Sequence, residues 1–506
     1  MEKRLVLATA LSVLILLTWS VMLPKKPVSI TPLSTKAEPA KPQALSLPTL
    51  AEQEPTPASL LSYNQPEFEI SFVEPQAAIK EAVFKSYNTY KFLLSRGFAL
   101  AEKNLAFKKQ SMTAEAITFV QTDQNKEIIK RFIFHSSNYT IDLEINVQNE
   151  SAGPLLINYP LSLGILDFKK DPDAARFRDV AVATLSNGLL RTTHLNGRKD
   201  MILEQPKFVA LRDRYFCNIV EPLTKGHSVL IKKLNPHETE ISLIPEETIL
   251  APGETFKQKF RIYLGPQDLR MIKAVNPAWA SVVNYGFFDF ISQLLLRLLE
   301  FFHAIVHNWG WAIIILSIAV YLILFPLTLK QMRSMKEMQM LQPRIEELKK
   351  MYKDNPQKLH KETLELYREH KVNPFGGCLP LLLQMPIFFA LYQALARSIV
   401  LKGAHFLWVK DLSEPDRLFL LPVYLPVISN EINILPILMA VVMFFQQKTS
   451  LATASSEHAE QQKIMLIAMP ILFGFIFYRM PAGLVLYWFV NSLLMAAYQF
   501  KMNKAK

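Results

Sequence analysis

Five stretches in the last two-fifths of this chain carry no formal charge inside their limits: Trp309 to Leu329, Pro374 to Ala396, Ile432 to Gln447, Ile464 to Tyr478 and Met480 to Phe500. Hydrocarbon offers no partner to a backbone N–H or C=O, so apolar runs of roughly 20 residues cross a bilayer as helices. The third and fourth runs are short for a span and must recruit flanking residues or thin the bilayer. A sixth run, Leu5 to Pro24, follows Lys3 and Arg4. It is longer than the roughly 7 to 15 residues of a cleavable signal core, and bulky Trp19, Val21, Met22 and Leu23 offer no cleavage site. The sequence therefore predicts a retained anchor over 1–24, with a cleaved signal as the alternative, and five clustered spans over 308–329, 373–401, 432–448, 463–479 and 480–500.

Lysine and arginine set the topology. Lys330 to Lys371 holds 11 basic against 7 acidic residues, and Lys501, Lys504 and Lys506 follow Phe500 without an acid. With both stretches and Lys3 and Arg4 in the cytoplasm, six spans close consistently. Segments 330–372, 449–462 and the tail 501–506 then lie inside, and 25–280 and 402–431 outside.

The outer part divides in two. Residues 25–58 belong to a stretch, Pro24 to Pro57, with eight prolines, which predicts an extended tether. From 59 to 280 the hydrophobic period falls to two. Tyr139, Ile141, Leu143, Ile145 and Val147 alternate with polar neighbours, and Phe132/Phe134, Phe260/Ile262/Leu264 and Ile241/Leu243 repeat the theme. Turn signals at Asn196-Gly197 and Ala251-Pro252-Gly253 separate such runs, so this is a large, mostly β domain, read as a sandwich. Between Lys25 and Glu300 there are 33 basic and 30 acidic residues. The net charge of +12 therefore sits elsewhere, and nucleic-acid binding by the β domain loses its support. Within 281–307, Phe290, Leu294, Leu298 and Phe301 recur at helical spacing among Asp289, Arg297, Glu300 and His303. That pattern predicts a helix lying in the membrane interface, with a buried core helix as the alternative.

Enzyme signatures are missing. There is no glycine-rich phosphate loop, no His-Glu-x-x-His and no Gly-x-Ser-x-Gly. The two cysteines, Cys217 and Cys378, are too few for a disulfide framework or a four-thiolate zinc site. No cofactor or metal is expected. Segment 330–372 reads as a helical hairpin, with Met332, Met335, Met338 and Leu341 in one stripe and Ile345, Leu348 and Met351 in a second, set apart by Pro343. Methionine adapts to varied apolar surfaces and suits a receiver of unlike hydrophobic segments, although the same stripes could glue the two helices together. Inside the spans, Ser317, Gln384, Gln446, Gln447, Asn491 and Gln499 are polar while Asp and Glu are lacking. Singly such residues serve as interhelical glue; together they suggest a moderately polar cavity.

Several motifs are similar to those of the YidC/Oxa/Alb membrane protein insertases. They are Asn308-Trp-Gly-Trp, Phe325-Pro-Leu-Thr, Met340-Leu-Gln-Pro-Arg-Ile, Asn373-Pro-Phe-Gly-Gly-Cys-Leu-Pro-Leu-Leu-Leu-Gln-Met-Pro-Ile-Phe, Gln461-Gln-Lys-Ile-Met and Pro481-Ala-Gly-Leu-Val-Leu-Tyr-Trp. The anchor, tether and outer domain resemble the Gram-negative bacterial form. The resemblance implies a polytopic α-helical inner-membrane protein with a five-helix core enclosing a groove, and a periplasmic β-supersandwich akin to sugar mutarotases. It further implies nascent membrane proteins as substrates, with the Sec translocon, the ribosome, signal-recognition components and membrane lipids as partners. Residue by residue, it places Ser317, Gln384, Gln447, Tyr487 and Trp488 in the groove, to which the polar residues inside the spans add Asn491. The basic hairpin, with Met332, Met335, Met338, Arg344, Lys349 and Lys350, becomes a docking element. The family's groove arginine falls on Tyr321, which offers a hydroxyl but no fixed charge. Arg397, toward the outer end of the next span, does not replace it; either the groove relies on polarity alone, or another cation reaches in, with Lys330 nine residues on at the cytoplasmic end. Two other classes compete. A small-solute transporter would need repeats or intramembrane charge, and a tethered carbohydrate-active enzyme would need converging carboxylates.

Overall fold

In a computed structural model the described residues run from 59 to 504, apart from 88, 103–104, 136–137, 170–174, 187, 197–198, 354, 371, 373–378, 426–428 and 452–458. The expected anchor 1–24, the tether 25–58, the Asn373–Cys378 part of the long motif and the last two residues of the tail lie outside them.

Residues 60–266 build antiparallel sheets, the largest nine-stranded. At its centre Thr140–Asn149 pairs on one side with Lys126–His135 and on the other with Thr255–Pro266. The register aligns Phe132, Leu143 and Phe260, and next to them Phe134, Ile141 and Ile262. All six are buried, so the three alternating runs are one cross-strand face. A four-stranded sheet over Leu60–Gly97 meets that face through aromatic rings. Phe72 lies edge-on to Phe132 at 5.2 Å and Phe84 stacks on Phe216 at 4.1 Å. Tyr139 precedes its strand in a left-handed turn, φ 58°.

A lysine sits inside this core. Lys130 is fully buried, and its Nζ donates to the carbonyls of Ala77 at 2.6 Å and Phe98 at 2.5 Å. Burial pushes its pKa down to about 7 from 10.5. Between those values the unfolded chain binds the extra proton, so the β domain gains stability as pH rises from 7 toward 10. We expect the urea midpoint of the β domain to be higher at pH 9.5 than at pH 7, and Lys130→Met to flatten that difference. An unchanged slope in the variant would refute it.

After the sheets, Asp268 caps helix α1 (Leu269–Val275), its Oδ1 accepting from the backbone N–H of Arg270 at 2.7 Å. The turn Pro277–Val282 buries Trp279, whose Nε1 donates to Glu221 Oε2 at 3.0 Å. Helix α2 (Asp289–Val306) buries Ser292, Leu295 and Leu299 and exposes Phe290, Leu294 and Phe301. Leu298 is half-buried. Ser292 Oγ donates to the carbonyl of Ala390 at 2.9 Å, tying α2 to the later helix that carries Ala390.

Asn308 caps helix α3, a continuous helix from Trp309 to Met351 that contains Pro326 and Pro343. The expected boundary at 329/330 falls inside this helix, and Pro343 sits within it, between the two apolar stripes. Beside Pro343, Leu341 and Ile345 pack on Leu366 and Val372, with Leu348 and Tyr367 at the edge, and the helix continues past the ring's missing N–H. The second arm is α4 (Pro356–Glu369). At 1.5 Å per residue α3 is about 64 Å long, so the hairpin ends far from the α3 N-terminus. The remaining helices are α5 (Leu379–Arg397), α6 (Ile434–Leu451), α7 (Ala459–Phe477) and α8 (Ala482–Lys504). The expected inner loop 449–462 is thus helical at both ends. The expected outer loop 402–431 contains a hairpin, Phe419–Leu425 with Ser429–Ile432. Among the described residues, two helical segments, Trp309–Ser334 and Ala482–Lys501, are long and apolar enough to cross a membrane; Ile434–Lys448 and Leu466–Phe477 are shorter.

Segment 396–416 gathers the ends of four helices. A Cβ on Gly310 would fall 2.0 Å from the Phe406 ring, so only glycine lets α3 start there. Asp416 Oδ2 accepts from the N–H of Leu435 in α6, and the carbonyls of Glu414 and Leu412 accept from Ala482 and Gly483 in α8. α5 ends in this segment. Therefore α3, α6 and α8 begin at one end of the bundle. The β domain docks on that same end: Arg214 reaches the carbonyls of Ala396 and Ser413 and the carboxylate of Glu414.

Candidate functional site

Helix α8 packs against both α3 and α6. Tyr321 lies 12 residues into α3 and Gln447 lies 13 residues into α6, and both helices start at the end gathered by 396–416. At 1.5 Å per residue that is about 18–20 Å of depth along each helix. The Tyr321 ring sits 5.7 Å from Phe325, which meets Tyr498 of α8 edge-on at 5.1 Å. Beside Tyr498 is Gln499. The Tyr321 hydroxyl, Gln447 Oε1 and Gln499 Oε1 are all buried, and among the described residues no protein group bonds them.

The other expected groove residues divide by what they touch. Ser317 is fully buried and its Oγ donates to the carbonyl of Ile313, 2.7 Å away in its own helix. Gln384 Nε2 donates to the Tyr487 hydroxyl at 3.0 Å, joining α5 to α8. Tyr487 has no exposed surface, and Asn491 Nδ2 donates back to its carbonyl at 2.8 Å. Trp488 is half-buried among Phe388, Phe473 and Phe477 at 5.3–5.8 Å, which joins α5, α7 and α8. So Ser317, Gln384, Tyr487, Trp488 and Asn491 are tied into the helix packing, whereas Tyr321, Gln447 and Gln499 each hold a buried oxygen that no protein group among the described residues bonds. Gln393 in α5 belongs with the latter by its orphaned, buried Oε1. Its signal was the same as theirs, a glutamine inside an uncharged run. Arg397 sits at the outer end of α5, its Nη1 3.4 Å from the carbonyl of Asn284 and its guanidinium 5.2 Å over the Phe177 ring. It serves the β-domain junction and not the orphaned oxygens.

In the hairpin, Met332 is half-buried, Arg344 and Lys350 are exposed, and Lys349 is half-buried. The side chains of Met335 and Met338 lie outside the described residues. The leucines and isoleucine of the stripes glue the two arms, while Met340 and Met351 face outward. No group of three or more potential metal ligands occurs among the described residues.

Two family profiles cover consecutive parts of the chain: the YidC periplasmic domain over residues 66–298 and the 60Kd inner membrane protein over residues 301–506. Membrane protein insertase YidC of Syntrophobacter fumaroxidans is 35% identical over 387 residues, which is 74% of this chain and 68% of that one. The same insertase of Geotalea uraniireducens is 32% identical over 547 residues, 100% of this chain and 99% of that one. The chain belongs to the YidC family of membrane protein insertases. A crystal structure of an active YidC insertase with its first transmembrane domain resolved aligns with a TM-score of 0.41 and 19% identity, over 88% of this chain and 94% of that one. In the YidC frame the sheets lie in the periplasmic domain, the helices from α3 onward lie in the stretch that matches the 60Kd inner membrane protein, and the substrates are nascent membrane proteins. Segment 396–416 is where the helix ends meet the periplasmic domain, and the hairpin of α3 and α4 lies at the opposite end of α3.

Proposed function

We propose that this insertase works through a polar groove bordered by α3, α6 and α8, alone or with the Sec translocon. Six spans, with the predicted anchor as the first, would leave both termini in the cytoplasm, and the periplasmic domain would be a β-supersandwich. The reading assigns no covalent chemistry. What carries it is the set of buried oxygens on Tyr321, Gln447 and Gln499 without a protein partner. Each such group costs about 1–3 kcal/mol when left unbonded, so a fold that keeps three of them holds polar capacity in reserve. The polar flank of an entering segment needs that capacity, since an unpaired backbone group in hydrocarbon costs several kcal/mol. Because Tyr321 replaces the family's groove arginine, attraction of acidic segments is not part of the mechanism. The exposed Arg344 and Lys350 of the hairpin would meet ribosomal or signal-recognition partners.

Depletion tests the reading. Small single- and double-span proteins should fail to insert when the protein is depleted and recover when it is restored, as read by protease protection. Unimpaired insertion on depletion would remove the proposal. Solute uptake lost with insertion intact would favour a transporter instead.

A further inference from the structure

Between α1, α2 and the start of segment 396–416 lies a cleft of about 220 Å³ that the groove does not use. Gln267, Asp268, Arg270, Gln293, Arg297 and Glu300 supply its polar wall, and Leu296 and Val400 part of its apolar one. The charges are unevenly committed. Asp268 caps α1. Arg270 stands 3.6 Å from both Asp268 and Glu300, at the outer limit of an ion pair. Arg297 is exposed, and among the described residues no carboxylate lies within ion-pair distance of it. Partial burial raises the Glu300 carboxyl above its usual pKa, against the pull of Arg270 and Arg297. The cleft therefore pairs an available guanidinium with a carboxylate that would gain from a second cation.

Its position supplies the rest. On α2 the cleft residues Gln293 and Arg297 neighbour Phe290, Leu294 and Phe301 at three- and four-residue spacing. Those three are 81%, 47% and 60% exposed. They form an apolar strip at the periplasmic end of the bundle, which places the helix at the level of lipid headgroups.

We propose that this cleft binds the headgroup of a zwitterionic glycerophospholipid of the outer leaflet, its phosphate on Arg297 and Arg270, its ammonium on Glu300 and its acyl chains along Phe290, Leu294 and Phe301. Guanidinium meets phosphate oxygens in a bidentate fork. An anionic headgroup of the same size would find the arginines but would face the Glu300 carboxylate without a cation.

The test uses the delipidated full chain in detergent, titrated with phosphatidylethanolamine, phosphatidylglycerol and soluble glycerophosphoethanolamine, with bound ligand counted by native mass spectrometry. Phosphatidylethanolamine should bind tightest, with Arg270→Gln/Arg297→Gln weakening both lipids about tenfold. Glu300→Gln should erase the preference for ethanolamine while leaving phosphatidylglycerol bound at least as well. Leu296→Trp, which fills the cleft and keeps every charge, should also abolish binding, so a misfolded charge variant would not decide the matter. Three results overturn the proposal. They are unchanged binding in both the double-arginine and the tryptophan variants, a preference that survives Glu300→Gln, or glycerophosphoethanolamine binding as tightly as the lipid. Insertion by these variants is scored separately, so failure here leaves the groove reading standing.

Discussion

Replacing Arg214 with alanine should loosen the junction between the periplasmic domain and the membrane part more than any other single substitution in its turn. The side chain is almost fully buried and satisfies three acceptors at once: Ala396 O at 2.8 Å, Ser413 O at 2.6 Å and Glu414 Oε1 at 2.7 Å. Its guanidinium also lies over the rings of Phe177 and Tyr215, at 5.3 and 4.8 Å. Removing one partner of a buried pair leaves the other desolvated, which costs about 3–5 kcal/mol. Here Lys402 and Arg417 remain 3.6 and 3.8 Å from Glu414, so the lower end of that range applies. The same segment accepts the first N–H groups of α8, from Ala482 and Gly483. A loss of about 3 kcal/mol should therefore speed hydrogen exchange at those amides roughly a hundredfold. Arg214→Lys should recover only part of the protection, because one ammonium cannot serve three acceptors held by a planar fork. Unaltered exchange in Arg214→Ala would show that the junction is held elsewhere. Deleting strands remote from the Asp213–Tyr215 turn should leave the junction, and insertion, largely intact.

That junction shows where the sequence is readable and where it is not. Alternation exposes any strand with one wet face, and so Phe132/Phe134, Ile141 to Val147 and Phe260 to Leu264 could be read as strands before their pairing was known. The uncharged runs are equally plain, since hydrocarbon tolerates little else. Arg212-Asp213-Arg214-Tyr215 reads as an ordinary polar turn between two apolar strands; nothing local says that residues almost 200 positions away will bury it. The Gln384–Tyr487 bond is hidden for the same reason, spanning 103 positions. The continuity of the helix through Pro343 is not legible locally, because the break a proline favours is a local preference and the contacts of Leu341 and Ile345 across the hairpin lie far along the chain. The hairpin at Phe419–Ile432 was missed because Pro422 and the unbroken apolar run Phe419-Leu-Leu give no alternation to read. Of the candidate groove, the residue types were visible in sequence, but which oxygens would be bonded and which orphaned depends on how three helices meet.

That division between bonded and orphaned oxygens yields the strongest functional prediction. Tyr321→Phe, Gln447→Leu and Gln499→Leu together remove three buried oxygens that no described protein group bonds. If those groups only glue helices, the triple variant should be less stable and should insert normally. If they serve an entering polar flank, relief of unbonded polar groups should leave the fold as stable or more so, and insertion should collapse. A net hydrogen bond is worth about 1 kcal/mol, or about fivefold in rate, so Tyr321→Phe alone should cost roughly fivefold and the triple variant about a hundredfold. In depletion-complementation, Tyr321→Phe and Tyr321→Arg should both support growth and the triple variant should not. The loss should be steepest for clients with polar or charged N-terminal tails and mild for a client whose flanks are short and apolar, since only the former need the oxygens in transit. A null phenotype for Tyr321→Phe would contradict the weak-charge mechanism. A triple variant that melts earlier yet inserts fully would return these oxygens to the role of interhelical glue.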